Sequence, residues 1–82
     1  MVIKQDYGIL TYYPGSETWV ITFVSTTKEQ NLEHRATASA GGVQEAVLEV
    51  LRLLGERGWE VFQVDGYIER DYPVYHLRRA VR

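Results

Sequence analysis

Two hydrophobic periods alternate along this chain, and the switch between them marks its elements. From Asp6 to Tyr13, the strand formers Tyr7, Ile9, Leu10, Tyr12 and Tyr13 predict a first strand. Tyr13-Pro14-Gly15-Ser16 follows. Proline presets φ at the second turn position and glycine accepts a positive φ at the third, so a type II turn is predicted. Thr18 to Thr27 predicts a second strand, with Trp19, Ile21 and Phe23 on one face and Val20, Thr22 and Val24 on the other. Apolar residues on both faces predict a central strand, or one covered on both sides. Lys28-Glu29-Gln30-Asn31 is a polar turn. Leu32 to Ser39 then alternates, with Leu32, His34, Ala36 and Ala38 facing one way and Glu33, Arg35, Thr37 and Ser39 the other. This predicts a third strand with one solvated face, the two alanines leaving a short helix as the alternative.

After Gly41-Gly42 the period changes to that of a helix. Val43, Ala46, Val47, Val50, Leu51 and Leu54 fall on one side and predict a helix from Val43 to about Arg57. Gly42 as N-cap places Glu45 at the third helical position, near the positive end of the dipole. Glu45, Glu49, Arg52 and Glu56 form the wet stripe, with Arg52 one turn from both Glu49 and Glu56. Gly58 is placed to end the helix in the left-handed conformation. Trp59 to Tyr67 predicts a strand, Glu69-Arg70-Asp71-Tyr72 a hairpin loop, and Pro73 to Val81 a last strand. The fold class read from this pattern is α+β. An antiparallel sheet of four to five strands, in the order β-β-β-α-β-β, packs on one helix, and residues 1–82 form a single domain.

Leu48 and Leu53 lie outside the main stripe. They widen the apolar arc of the helix to roughly 220°, where about 100° suffices to meet one core. A homo-oligomer with Leu48 and Leu53 at its interface explains the excess. The plainer reading is two scattered surface leucines.

Composition narrows the classes. The chain has 82 residues, 45% of them hydrophobic, including two Trp, two Phe and six Tyr, enough for one core. Without cysteine there is no disulfide, thiolate metal site or cysteine nucleophile. The net charge of −2 lacks the basic excess with which proteins displace counterions from phosphates. The one basic cluster is Arg78, Arg79 and Arg82. No stretch approaches the roughly 20 apolar residues of a membrane span. The first residues carry no basic region followed by an apolar run, so a cytoplasmic location and no membrane partner are expected.

Candidate chemistry is sparse. His34 and His76 both fall in predicted strands, where their spacing gives no zinc motif, so no metal is expected. A small enzyme built on either histidine with a carboxylate such as Asp65 ranks last. Ser39-Ala40-Gly41-Gly42 leads into a helix N-terminus that can hold an anion, although Gly-Gly before a helix is usually just a turn. No phosphate loop, nucleophile elbow or dinucleotide fingerprint is present. No catalytic residue and no cofactor are expected. The tyrosines are more informative. Tyr12, Tyr13 and Tyr75, with Arg35 and Arg78, are the candidate ligand- or partner-binding residues. Aromatic and arginine side chains are enriched at protein interfaces and also stack bases. Several of these tyrosines are equally accounted for by cross-strand packing. Net negative charge ranks a protein partner or small ligand above nucleic acid. The reading is a non-catalytic interaction module that self-associates. A nucleic-acid or nucleotide binder using Tyr and Arg on the sheet face is the alternative.

The run Leu51-Arg52-Leu53-Leu54-Gly55-Glu56-Arg57-Gly58-Trp59-Glu60-Val61-Phe62-Gln63-Val64 closes a helix with two glycines and opens a strand with Trp-Glu. Trp19 to Val24 precedes it and Tyr75-His76-Leu77-Arg78-Arg79 follows. This pattern resembles the small bacterial and phage domains catalogued as domain of unknown function 4177, over residues 18–27 and 43–80. The resemblance implies a fold and brings no activity or catalytic residues. In the residues themselves, Gly58 permits a sharp helix exit, Trp59 folds back on the helix end, and Gly55 is expected to let helix and sheet approach closely.

Overall fold

The computed structural model describes residues 4–37, 42–66 and 72–81. Five strands form one antiparallel sheet: β1 (Lys4–Pro14), β2 (Thr18–Ser25), β3 (Leu32–Thr37), β4 (Glu60–Asp65) and β5 (Val74–Val81). Their spatial order is β3-β2-β1-β5-β4. The single helix α1 spans Gly42–Glu56, and a 3-10 turn at Lys28–Gln30 joins β2 to β3. The fold is α+β with one helix on one sheet. The predicted strand ends at Ala38–Ser39 and Tyr67, the proposed anion loop at Ser39–Gly41, the hairpin tip at Glu69–Asp71 and Arg82 lie outside the described residues.

The pairing registers assign every strand residue to a face. Leu10 lies opposite Phe23 on one side and Tyr75 on the other; Tyr12 pairs with Ile21, which pairs with His34. That face meets the helix. Leu10, Ile21, Phe23 and Leu77 of the sheet, Val47, Val50 and Leu54 of α1, and Trp59 after it form the core. Fully burying each such side chain stabilises the fold by about 1.5–3 kcal/mol. The helix stripe predicted from spacing is therefore the buried one.

The helix ends as its sequence dictates. Gly58, at φ 91°, is the one described residue in the left-handed region. The Gly58 N–H donates to the Gly55 carbonyl and the Trp59 N–H to the Leu54 carbonyl, both at 3.0 Å. This pair of bonds is a Schellman motif, with Trp59 and Leu54 as its hydrophobic contact. Arg79 on β5 stacks its guanidinium over the Trp59 ring at 4.9 Å, placing a cation near the negative end of the helix. On the outer side, Arg52 bonds Glu49 and Glu56.

Two expectations need correction. Gly15 has no positive φ, so the turn is not type II on Pro14-Gly15. Pro14 remains in β1, paired opposite Trp19, and the turn sits one residue later, closed by the Gly15 N–H on the Thr18 carbonyl at 2.6 Å. Glycine is still required there, because a Cβ would stand 2.8 Å from the Thr18 carbonyl oxygen. Gly55 meets nothing within 4 Å; the close approach of backbone to ring occurs at Gly8 instead, where a Cβ would lie 2.4 Å from Phe23 Cζ. Of the two alternatives for β2, the structure has the first: β2 is interior to the sheet and not covered on both sides. The helix occupies one face alone, and Val24 stays exposed.

Asp6 and Arg79 sit directly opposite each other on β1 and β5. Arg79 donates to Asp6 at 3.0 Å, and this bond, helped by the Thr27 and Thr26 hydroxyls, holds the Asp6 carboxyl below the ordinary carboxylate range. The folded pKa thus lies below the unfolded one. The pair's contribution is complete above the unfolded value of about 3.9 and is lost as pH falls through the folded value. Asp6→Asn is expected to melt below the wild-type protein at neutral pH, with the gap closing below about pH 4. A gap constant across that range would exclude a charge contribution from the pair.

Candidate functional site

Alternation puts Tyr7, Ile9, Thr11 and Tyr13 of β1 on the face away from the helix, with Val20, Thr22 and Val24 of β2 and Val74, His76 and Arg78 of β5 beside them. Val20 and Val74 are buried there by their neighbours without joining the core. Thr11 and Thr22 share a hydroxyl hydrogen bond of 3.0 Å. Tyr7, Ile9, Tyr13, Val24 and Phe62 remain exposed. Phe62 reaches this face through an irregularity in β4 between Val61 and Gln63, a bulge that re-aims a side chain. Its ring lies 6.2 Å from Tyr7 and 6.3 Å from His76. Tyr7, Ile9, Val24, Phe62 and His76 line an open cleft of about 380 Å³.

Charged groups of this face lie along its margins and are paired within the chain. Arg35 stands 3.5 Å from Glu33 on β3. Arg78 donates to Glu60 at 2.7 Å and lies over Phe62 at 5.2 Å. His76 Nε2 is 2.8 Å from Asp65 Oδ2, and Gln63 donates to Asp65 Oδ1 at the same distance. The bonds from Gln63 and then His76 hold the Asp65 carboxyl below its ordinary range. An ionised carboxylate only accepts, so Nε2 donates in this contact. This is the carboxylate–imidazole pairing that a small enzyme built on His76 and Asp65 would need. His34 lies on the opposite face, opposite Ile21, so the two histidines do not share a site. Among the described residues no three His, Cys, Asp or Glu side chains gather as metal ligands.

The sequence candidates divide accordingly. Tyr12 and Tyr75 share the helix face and line a second hollow with Gln44, Val47, Leu48 and Pro73. Tyr13 is on the outer face, in a third hollow that also includes Tyr12 and Tyr72. Arg35 and Arg78 are on β3 and β5 in separate ion pairs, so the five residues form no single site. Leu48 is 66% exposed and Leu53 39%. Sequence reasoning missed the cluster of Tyr7, Ile9, Val24 and Phe62. Strict alternation in β1 contained half the signal, since Tyr7, Ile9 and Tyr13 share one parity; the bulge that adds Phe62 left none.

No helix of the described chain is long and apolar enough to cross a membrane. No family model, curated protein or solved structure matches the chain, so the likeness to the domain of unknown function 4177 family rests on its motif residues alone.

Proposed function

We propose that this chain is a non-catalytic interaction module that self-associates through the sheet face opposite the helix. The observation that carries this reading is the cluster of Tyr7, Ile9, Val24 and Phe62, exposed around one cleft on an uncovered face. An apolar centre inside a polar rim is the anatomy of a protein interface. Pairing within the rim favours a second copy as occupant. A two-fold axis sets the same patch against itself, and like charges would then oppose each other if the rim were unpaired. Here the Glu33–Arg35 and Glu60–Arg78 pairs leave little charge to repel. The same pairing engages the arginines that a nucleic-acid reading would need free.

Sedimentation velocity at micromolar to millimolar concentration tests this directly. Wild-type protein is expected to dimerise, and Ile9→Asp or Val24→Asp to weaken association at least about tenfold by burying an unpaired carboxylate. Leu53→Glu, on the rival helix surface, is expected to leave it unchanged. A wild-type monomer throughout, or dissociation caused by Leu53→Glu alone, would refute the assignment of this face.

A further inference from the structure

We infer, resting on the association face proposed above, that dimerisation is governed by pH, with His76 and Asp65 as its switch. His76 lines the cleft of that face, its ring 6.3 Å from Phe62. Its Nε2 stands 2.8 Å from Asp65 Oδ2, and the two side chains are 27% and 38% exposed. A second copy seated on the cleft would cover both. Each of the other two pairs on the margin joins an arginine to a carboxylate, and its charges cancel. This one joins a carboxylate to an imidazole, the side chain whose ordinary titration falls between about pH 5 and 8.

The sign follows from the charge of the pair. Hydrogen bonds from Gln63 and then His76 hold the Asp65 carboxyl below its ordinary range, so it stays ionised at these pH values. With a neutral imidazole the pair carries one negative charge; with a protonated imidazole it carries none. A two-fold axis brings both copies of the pair into one interface. Two uncancelled carboxylates there repel each other and lose water. Protonation removes that cost, so the dimer holds the proton more tightly than the monomer and association strengthens as pH falls. The surroundings of His76 keep this sign. On β5, Arg78 is engaged by Glu60 of β4. Gln63 of β4 and Ile9 of β1 lie opposite His76, with Tyr7 two residues before Ile9 on the same face. On β3, Glu33 and Arg35 pair with each other. Asp6 and Arg79 are bonded together on the helix side. Between β4 and β5 the sequence adds Glu69, Arg70 and Asp71, two acids and one base, outside the described residues.

Sedimentation velocity at about pH 8 and about pH 5.5, at one ionic strength, measures the effect. The dimer dissociation constant of the wild-type protein is expected to fall at least about tenfold on acidification, the worth of one unit of pKa difference between dimer and monomer. Acid also lowers the net negative charge of the whole chain, so two variants of these partly exposed side chains decide the cause. Asp65→Asn is expected to reverse the trend. It dimerises well at the higher pH, and at the lower pH protonated His76 becomes an unpaired cation in the interface. His76→Gln is expected to keep the weak association of the higher pH at both. His34→Gln, on the opposite face, is expected to behave as wild type. Circular dichroism melts confirm that each variant is folded. A dimer that Ile9→Asp still disrupts but that ignores pH would overturn the switch and leave the face standing. A wild-type monomer at both pH values would overturn the face itself. Acid-strengthened association in Asp65→Asn or His76→Gln would assign the effect to net charge and overturn the switch.

Discussion

Trp59→Ala is expected to destabilise the protein by about 3–5 kcal/mol. At the usual per-residue stability, a chain of this length holds roughly 4–12 kcal/mol in all, so the variant should lose a large share of its stability. The indole is buried at the junction of helix end and sheet, 5.0 Å from the Phe23 ring and under Arg79. It also supplies the hydrophobic contact of the helix-terminating motif, so its loss opens a cavity and frees the end of α1. Trp59→Phe is expected to cost less than about 1.5 kcal/mol. It keeps an aromatic ring against Phe23 and removes an indole N–H that is buried without a hydrogen-bond partner among the described residues. Urea unfolding followed by circular dichroism measures both. Equal midpoints for the two variants would show that Trp59 does not seal the core.

Gly8→Ala is expected to cost about 3 kcal/mol, at the upper end for overpacking. The added methyl would stand 2.4 and 2.5 Å from Phe23 Cζ and Cε1, and Phe23 is fully buried, with no room to retreat. The mechanism makes a sharper claim than the magnitude. If the clash is with the ring edge, shortening the ring relieves it. The double variant Gly8→Ala/Phe23→Leu should then be more stable than the sum of the two single changes by at least about 1 kcal/mol. Additive costs would place the strain in the β1 backbone and not between these two residues.

Local chemistry announced much of the architecture. The i, i+3, i+4 stripe of α1 and the left-handed Gly58 depend on a few neighbouring residues, and both are in place. The order of strands around β1 and the sheet's pairing partners depend on contacts far apart in sequence. Asp6 and Arg79, 73 residues apart, leave no short-range trace. The turn at Gly15 was displaced because Pro14 tolerates an extended φ as readily as a turn position, and pairing with Trp19 decided between them. Gly55 and Gly8 show the same limit. Either glycine permits a close approach, but only the tertiary fold determines which one a ring crosses.

Of the candidate site, Tyr12 and Tyr75 were grouped with Tyr13, Arg35 and Arg78 by residue type, and only the pairing register puts those two beneath the helix. Their separation from Arg35 and Arg78 follows from sheet order, which composition does not encode. The open face was hidden for a related reason. Apolar residues of both parities in β2 left a central strand and a strand covered on both sides as alternatives, and a single helix is too little chain to provide the second.

The middle position of β1 sets the order in which the molecule can be assembled. Its partners are the strand made next, β2, and the strand made last, β5. A nascent chain that has emerged only through α1 holds a three-stranded meander and its helix, but still lacks Trp59 and Leu77. Pairing of β5 with β1 then closes a large loop, at an entropic cost. Until translation reaches the final strand, that edge stays open to any other extended segment.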